Sequence, residues 1–372
     1  MTPIELITTP AQLAALAQLF AKQPILACDL EADSMHHYRE QVCLLQISTD
    51  TANYVIDTLA CPDLTPLRPL FADPEIIKVF HGADYDVRML ARCCDIEIVN
   101  LFDTMIACQF LGEPAFGLAA VLKKRFNVDL DKRFQQADWS RRPLPPEMLD
   151  YAATDTSLLL PLFSQLIIEL RDKGRLDWVL EECELLSKVR MVERSDEPLS
   201  ARFKGAARLR PLNLAVLEGL LRFRDEEAQK RDLPPFKIVG NDTLREIAER
   251  NPVSIADLQG IPGLSPRLLE RYGRQILQAV KSGKKLPPEE LPVFKSVRRP
   301  ERSQQQETRL KRLKEWRSTK SAELKIESGI LANNALLEQL ADSWPDEAPA
   351  TARLKRWQAE LFGSELLATA AK

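Results

Sequence analysis

The feature that most constrains this 372-residue chain is an apolar run that ends in acid: Ile25-Leu26-Ala27-Cys28, followed by Asp29 and Glu31. A short apolar run of this kind reads as a buried strand. Residues two apart on a strand face the same way, so Asp29 and Glu31 project together from the edge of a core. Carboxylates in such a place are costly unless cations neutralise them. Two later stretches bring more acid. Asp86 lies in VFHGADYDVRML, and Tyr151 and Asp155 lie in MLDYAATDTSLL. Tyr151 and Asp155 are four apart in a helical pattern and share one face. Oxygen donors of this kind suit hard divalent ions such as magnesium or manganese.

The elements around these residues predict an α/β domain. Strands are expected at 4–8, 25–31, 42–48, 54–57 and 76–80, with helices at 10–21 and 64–71. Short connections make the strands between residues 25 and 57 antiparallel. The later strands alternate with helices, so the sheet is mixed. Helices are expected at 84–94, 104–111 and 118–126, then one long helix from 146 to about 171, and another at 178–194.

From about Arg208 the pattern is helical throughout, and it repeats. A shift of 93 residues places Phe223-Arg224 on Trp316-Arg317, Asn241 on Asn334, Leu244 on Leu337 and Ile247-Ala248 on Leu340-Ala341; Tyr272-Gly273 meets Phe362-Gly363 after a three-residue deletion. Two copies of one small all-α domain are expected, with Asn241 and Asn334 as helix caps. The expected boundaries are 1–195, 208–287 and 306–372, with a linker rich in Pro, charge and Gln at 288–305. Gly260-Ile-Pro-Gly263 of the first copy either offers backbone N–H groups to a phosphate or simply turns the chain.

Net charge is only -3, but its distribution is uneven. Residues 281–325 carry 14 Lys or Arg against 6 Asp or Glu, and residues 201–237 carry 9 against 5. A basic C-terminal half and an acidic N-terminal site suit a molecule that grips phosphates with one part and holds metal with another; solvated linker charge gives the same count. The seven cysteines contain no CxxC pair and several lie in apolar runs, so they read as reduced core residues of a cytoplasmic protein. His36, His37 and His81 make no zinc-ligand spacing with them. The start, MTPIELITTP, has no signal-peptide pattern. No apolar run approaches the ~18 residues of a membrane helix, so no membrane partner is expected.

Hydrolysing a phosphodiester needs an activated water, a clamp on the phosphate and a stabilised leaving oxygen. Two divalent ions about 4 Å apart can supply all three. Asp29, Glu31, Asp86 and Asp155 offer the carboxylates, and Tyr151 can orient the attacking water. Its phenol, with an ordinary pKa near ~10, is a poor base by itself.

These stretches resemble the three exonuclease motifs of the DEDD superfamily in its tyrosine-bearing form. The chain from His81 through Phe102-Asp103-Thr104 to ADWSRRPLPPEMLDYAATDT is similar to the ribonuclease D family and its exosome-associated relatives, and the helical copies resemble the HRDC domain. The resemblance spans nearly the whole chain. It implies a ribonuclease H-like exonuclease domain followed by two HRDC-type domains. It also implies a metal-dependent 3′-to-5′ exoribonuclease that releases nucleoside 5′-monophosphates. The implied partner is RNA with a free 3′ end, tRNA precursors among them. Carried over by position, Asp29 bridges two Mg2+ or Mn2+ ions, Glu31 and Asp155 complete the first site, and Asp86 holds the second ion.

Substrate contacts are expected from His81, Gln136, Trp139, Arg141 and Arg142, with Lys132 and Asp138 as further groove candidates, although His81 also reads as a packing residue and the two arginines as loop charge. Asp84 and Asp103 read as helix caps, and the resemblance leaves open for Asp103 a supporting role behind the metal ligands. Two features depart from the family pattern. Ala32 follows Glu31 where many relatives have a bulky aromatic, and the second helical copy has no equivalent of Gly260-Ile-Pro-Gly263. Two other readings stay open: a DNA 3′-exonuclease, since the acids do not read the sugar, and a non-catalytic nucleic-acid adaptor, against which stand the five intact residues. The oligomeric state is open, with a monomer favoured.

Overall fold

The computed structural model describes residues 3–192, 197–287, 301–346 and 351–372. They divide into two compact units. One contains residues 3–32, 42–191 and the described part of 300–372; the other contains residues 33–41 and the described part of 192–299.

The first unit opens with β1 (Ile4–Ile7), α1 (Pro10–Phe20), β2 (Ile25–Ala32), β3 (Val42–Ser48) and β4 (Asn53–Asp57). A 3-10 turn at Thr65–Leu67 leads to α2 (Arg68–Ala72), β5 (Ile77–Phe80), α3 (Asp84–Cys94), β6 (Leu101–Asp103), α4 (Thr104–Leu111) and α5 (Leu118–Phe126). Then follow α6 (Pro146–Ser157), α7 (Leu159–Asp172) and α8 (Leu176–Ser187). The six strands make one mixed sheet in the order β1-β4-β3-β2-β5-β6. β3 runs antiparallel to β2 and β4, and the other pairings are parallel. β3 and β4 are buried along their whole length, as strands covered on both faces must be. One face is covered by α6, whose Met148, Ala152 and Ala153 pack on Cys43, Leu44 and Val55. All seven cysteines are free thiols. Among the described residues no helix is long and apolar enough to cross a membrane.

The expected single helix from residue 146 to 171 is two helices. Pro161 has no N–H to give to Ser157 and its ring crowds that carbonyl. The first helix therefore stops at Ser157, Leu158 leaves helical geometry, and α7 restarts with Pro161 in its first turn. Asp84 is not the cap of α3; Ala83 holds that place, and Asp84 instead pairs with Arg88 at 2.8 Å. Asp103 does cap α4, accepting from the amides of Met105 and Ile106 at 2.8 and 3.2 Å.

The first helical copy comprises α9 (Pro211–Arg231), α10 (Pro235–Ile238), α11 (Asn241–Arg250), α12 (Ile255–Leu258) and α13 (Pro266–Lys284), around a core of its own. The second comprises α14 (Gln304–Leu324), α15 (Ser328–Leu331), α16 (Asn334–Ser343), α17 (Arg356–Gln358) and α18 (Ser364–Ala371), with a π-helical turn, Ala359–Gly363, joining the last two. The 93-residue repeat holds at the level of atoms. Arg224 donates to Asn241 Oδ1 and to the Val239 carbonyl; Arg317 donates to Asn334 Oδ1 and to the Ala332 carbonyl. Phe223 meets Tyr272 edge-on, as Trp316 meets Phe362. The two asparagines are thus first helical residues engaged by arginine, and the caps are Gly240 and Asn333. Most of the expected linker lies outside the described residues, and its last two residues already belong to α14.

The second copy has no separate core. Leu313, Leu337 and Trp357 belong to the same buried cluster as Phe110, Leu162 and Leu170 of the sheet domain. Trp357 stacks on Trp178 with ring centroids 5.4 Å apart and meets the edge of Phe110 at 5.2 Å. Glu181 of α8 accepts from the amides of Arg356 and Trp357 at 2.7 and 3.0 Å. Carboxylates satisfy and stabilise helix starts in this way. Glu182 takes the indole N–H of Trp357 at 2.8 Å and the ammonium of Lys355.

Candidate active site

β2 delivers Asp29 and Glu31 at its C-terminal end, next to an irregularity in the β2–β3 register between Glu31 and Ala32. Bulges of this sort often sit beside active sites and re-aim side chains. α6 delivers Asp155 one turn after Tyr151. Asp29, Glu31 and Asp155 each offer an oxygen, and these oxygens lie within 4.8 Å of one another. Asp86, buried in the first turn of α3, is outside this triplet but close enough for its charge to act on both Asp29 and Glu31.

The electrostatics are those of uncompensated acid. Burial first, then the charges of Asp86, Asp155 and Glu31, push Asp29 well above the ordinary carboxyl range. Burial, then Asp155 and Asp86, push Glu31 to about 9. Burial alone raises Asp155 to about 7. Asp86 reaches about 7, also through burial, with its own amide and that of Leu30 pulling the other way. Among the described residues no Lys or Arg offsets Glu31 or Asp155. A hard divalent cation fits this donor set, because it supplies the missing positive charge to an all-oxygen site. Tyr151 is raised by burial and then by Asp155, Glu31 and Asp29, so its phenol stays protonated. Its ring is held between Phe134 at 5.7 Å and Trp139 at 5.9 Å.

Asp103 fixes Asp86 from behind. Its fully buried carboxylate caps α4 and also accepts from the amides of Gly82 and Ala83, which lead into α3. One side chain therefore ties together two helix starts, and Gly82 reaches it at a φ of 80° that favours glycine. The sequence marks Asp103 as a cap; its reach to α3 is a contact twenty residues away that no local pattern carries.

A cavity of about 330 Å3 opens over the acids, lined by Asp29, His81, Lys132, Gln135, Tyr151 and Asp155 among others. His81 reaches it, with Nδ1 bonded to Thr104 Oγ1 at 2.9 Å and its pKa lowered by burial. Lys132 lines it as expected, whereas Gln136, Asp138, Trp139, Arg141 and Arg142 are not among the lining residues. Trp139 is 1% exposed and lies under Tyr151, which corrects its expected role: it supports the phenol and cannot reach a substrate. Arg142 is engaged bidentately by Asp57 at 2.6 and 2.7 Å and donates to the carbonyls of Trp139 and Cys43, so it fastens this loop to the sheet. Arg141 is exposed and pairs with Asp138. Gln136 is exposed, while its neighbour Gln135 lines the cavity. Nothing in the sequence separates these two, since an irregular loop has no periodicity to read.

Comparison with known proteins adds independent findings. A family profile described as a 3′-5′ exonuclease matches residues 4–171, and the HRDC domain profile matches residues 213–280 and 306–369. The ribonuclease D of Nitrobacter hamburgensis is 31% identical over 369 residues, 98% of this chain and 94% of that protein. The crystal structure of Escherichia coli RNase D superposes with a TM-score of 0.74 at 27% identity, covering 100% of this chain and 99% of that one. The catalytic core of RRP6 from Trypanosoma brucei superposes with a TM-score of 0.67 at 32% identity, over 76% and 80% of the two chains.

Proposed function

This chain belongs to the ribonuclease D family and is a 3′-to-5′ exoribonuclease; from that premise we propose that it trims the 3′ ends of structured RNAs, tRNA precursors among them, and releases nucleoside 5′-monophosphates. The observation that carries the reading is the meeting of Asp29, Glu31 and Asp155 within 4.8 Å, where among the described residues no Lys or Arg offsets Glu31 or Asp155. Asp29, Glu31 and Asp155 would hold one divalent ion, and Asp29 with Asp86 a second. When bound, magnesium or manganese supplies Lewis acidity for activating water and neutralising charge on the phosphate and the departing 3′ oxygen.

The protein's own groups do the positioning. The cavity admits the terminal nucleotide beside the acids. The Tyr151 hydroxyl, kept protonated by its acidic surroundings, hydrogen-bonds at the attacking water and fixes its line of approach. Trp139 and Phe134 hold that ring still, which is what orientation requires. Asp103 holds the start of α3, and with it Asp86. The Escherichia coli relative is described as an exoribonuclease involved in structured RNA processing, which supports structured RNA as the substrate class here.

The experiment is a digestion of a 3′-extended tRNA precursor by the parent protein and by Asp29→Ala. The parent should shorten it from the 3′ end to mononucleotides carrying a 5′-phosphate. The variant should bind the RNA as the parent does and release no detectable nucleotide. Near-parental turnover by Asp29→Ala would end this reading of the site.

A further inference from the structure

The two helical copies put opposite chemistry on the same face of their closing helix. Along α13, Arg267, Arg271, Arg274, Gln278 and Lys281, with Lys285 just beyond, recur every three or four residues and are all exposed. Such spacing keeps side chains on one face, so the row runs about 27 Å at 1.5 Å per residue. Within α13 the one acidic residue is Glu270. Among the described residues, none of the five cations forms an ion pair or side-chain hydrogen bond. Cations left unpaired in a row are unusual on a surface where Arg222, Arg245 and Arg250 of the same copy all have carboxylate partners.

The duplicate provides the contrast. With Tyr272-Gly273 set on Phe362-Gly363, the row becomes Trp357, Leu361, Ser364, Ala368 and Ala371. The four cations that have a counterpart are all replaced, and Trp357 and Leu361 pack into the core shared with the exonuclease fold while Ser364, Ala368 and Ala371 are exposed. The second copy turns the start of this face, Trp357 and Leu361, to internal packing and leaves the rest exposed without charge. The other keeps it exposed and loads it with charge. Beside the row lies a cleft of about 540 Å3, with Val253, Ile255 and Leu277 between Arg274 and Lys281. Val253 is 79% exposed there.

We propose that this face of α13 is a phosphate track: it binds the sugar-phosphate backbone of the RNA, and the apolar cleft takes an unpaired base or sugar beside it. The proposal rests on reading the chain as an RNA exonuclease. A row of unpaired, evenly spaced cations matches a polyanion whose charges are themselves evenly spaced, and backbone contacts of this kind dominate salt-dependent affinity without reading sequence.

The test compares full-length protein with the variant Arg267→Gln/Arg271→Gln/Arg274→Gln/Lys281→Gln. Binding to a 3′-extended hairpin RNA is measured in an Asp29→Asn background at several salt concentrations. The row variant should bind at least tenfold more weakly near 0.1 M salt, and its plot of log affinity against log salt should be shallower by roughly 3, at 0.7–0.9 for each lost phosphate contact. In the Asp29 background its hydrolysis of a six-nucleotide single strand should stay within twofold of the parent, since so short a substrate lies in the catalytic cavity. Melting should be unchanged, because the replaced side chains are exposed and, among the described residues, make no ion pair or side-chain hydrogen bond.

An unchanged slope overturns the proposal. So does an equal loss per charge from Lys311→Gln/Lys314→Gln on the second copy, which would show a diffuse field and no track. Failure of the parent protein to cut the six-nucleotide RNA would count against the exonuclease reading and leave the binding result to stand by itself.

Discussion

The two helical copies share a scaffold and differ in what surrounds it. Each has an arginine from its first helix clasping the first residue of its third, and an aromatic pair closing the core. The first copy buries its own apolar cluster and leaves the outer face of its last helix to solvent and charge. The second continues the core of the exonuclease fold, with the start of α17 capped by Glu181 and Trp357 pinned by Glu182. A duplicated fold therefore need not mean a duplicated function. Buried contacts hold the scaffold in both copies, and the copies differ in the charge carried on the outer face of the last helical segment.

The sharpest way to break this comparison is to exchange one matched pair of positions. Trp357→Ala removes a large buried aromatic and should destabilise the protein by about 3–5 kcal/mol. Arg267→Ala, at the corresponding place in the first copy, should change stability by no more than about 0.5 kcal/mol, as exposed positions do. Denaturant unfolding of both variants checks this, and comparable losses would show that the two faces are not used differently. Next in size is the salt dependence of RNA binding carried by α13.

The smallest expected effect separates the acid cluster from both copies. Glu31 near 9 and Asp86 and Asp155 near 7 lie above their ordinary values of about 4. Between about pH 4 and 9 the metal-free native state thus holds more protons than the unfolded chain, and stability falls as pH rises through that window. A divalent ion competes with those protons. Manganese should therefore raise the melting temperature more at pH 8 than at pH 6, and only in the transition that unfolds the exonuclease fold with its attached second copy. An equal rise at both pH values would contradict the site's electrostatics.

Much of the fold was legible in the chain because its signals are local. The apolar run ending at Asp29 and Glu31 gave a strand, the four-residue spacing of Tyr151 and Asp155 gave a shared helix face, and the 93-residue repeat gave two helical copies. The break at Leu158 was also locally encoded, through Pro161, but is easily overrun by a strong helical pattern. What the chain did not disclose is long-range. Arg142 finds Asp57 eighty-five residues away, Asp103 reaches back to Gly82 and Ala83, and Glu181 caps a helix start 175 residues on. Trp139 reads as a groove residue beside two arginines, and only the sheet packed beneath α6 shows that it is buried.

The central claim is that a cage of carboxylates from separate segments works on a free RNA 3′ end with divalent ions. Its most direct test is degradation of one RNA, with a free or a phosphate-blocked 3′ terminus, in magnesium and in excess chelator. Stepwise shortening only of the free-ended RNA, and only with magnesium, is the expected result. Cleavage that survives the chelator, or that proceeds equally on the blocked RNA, would contradict the account.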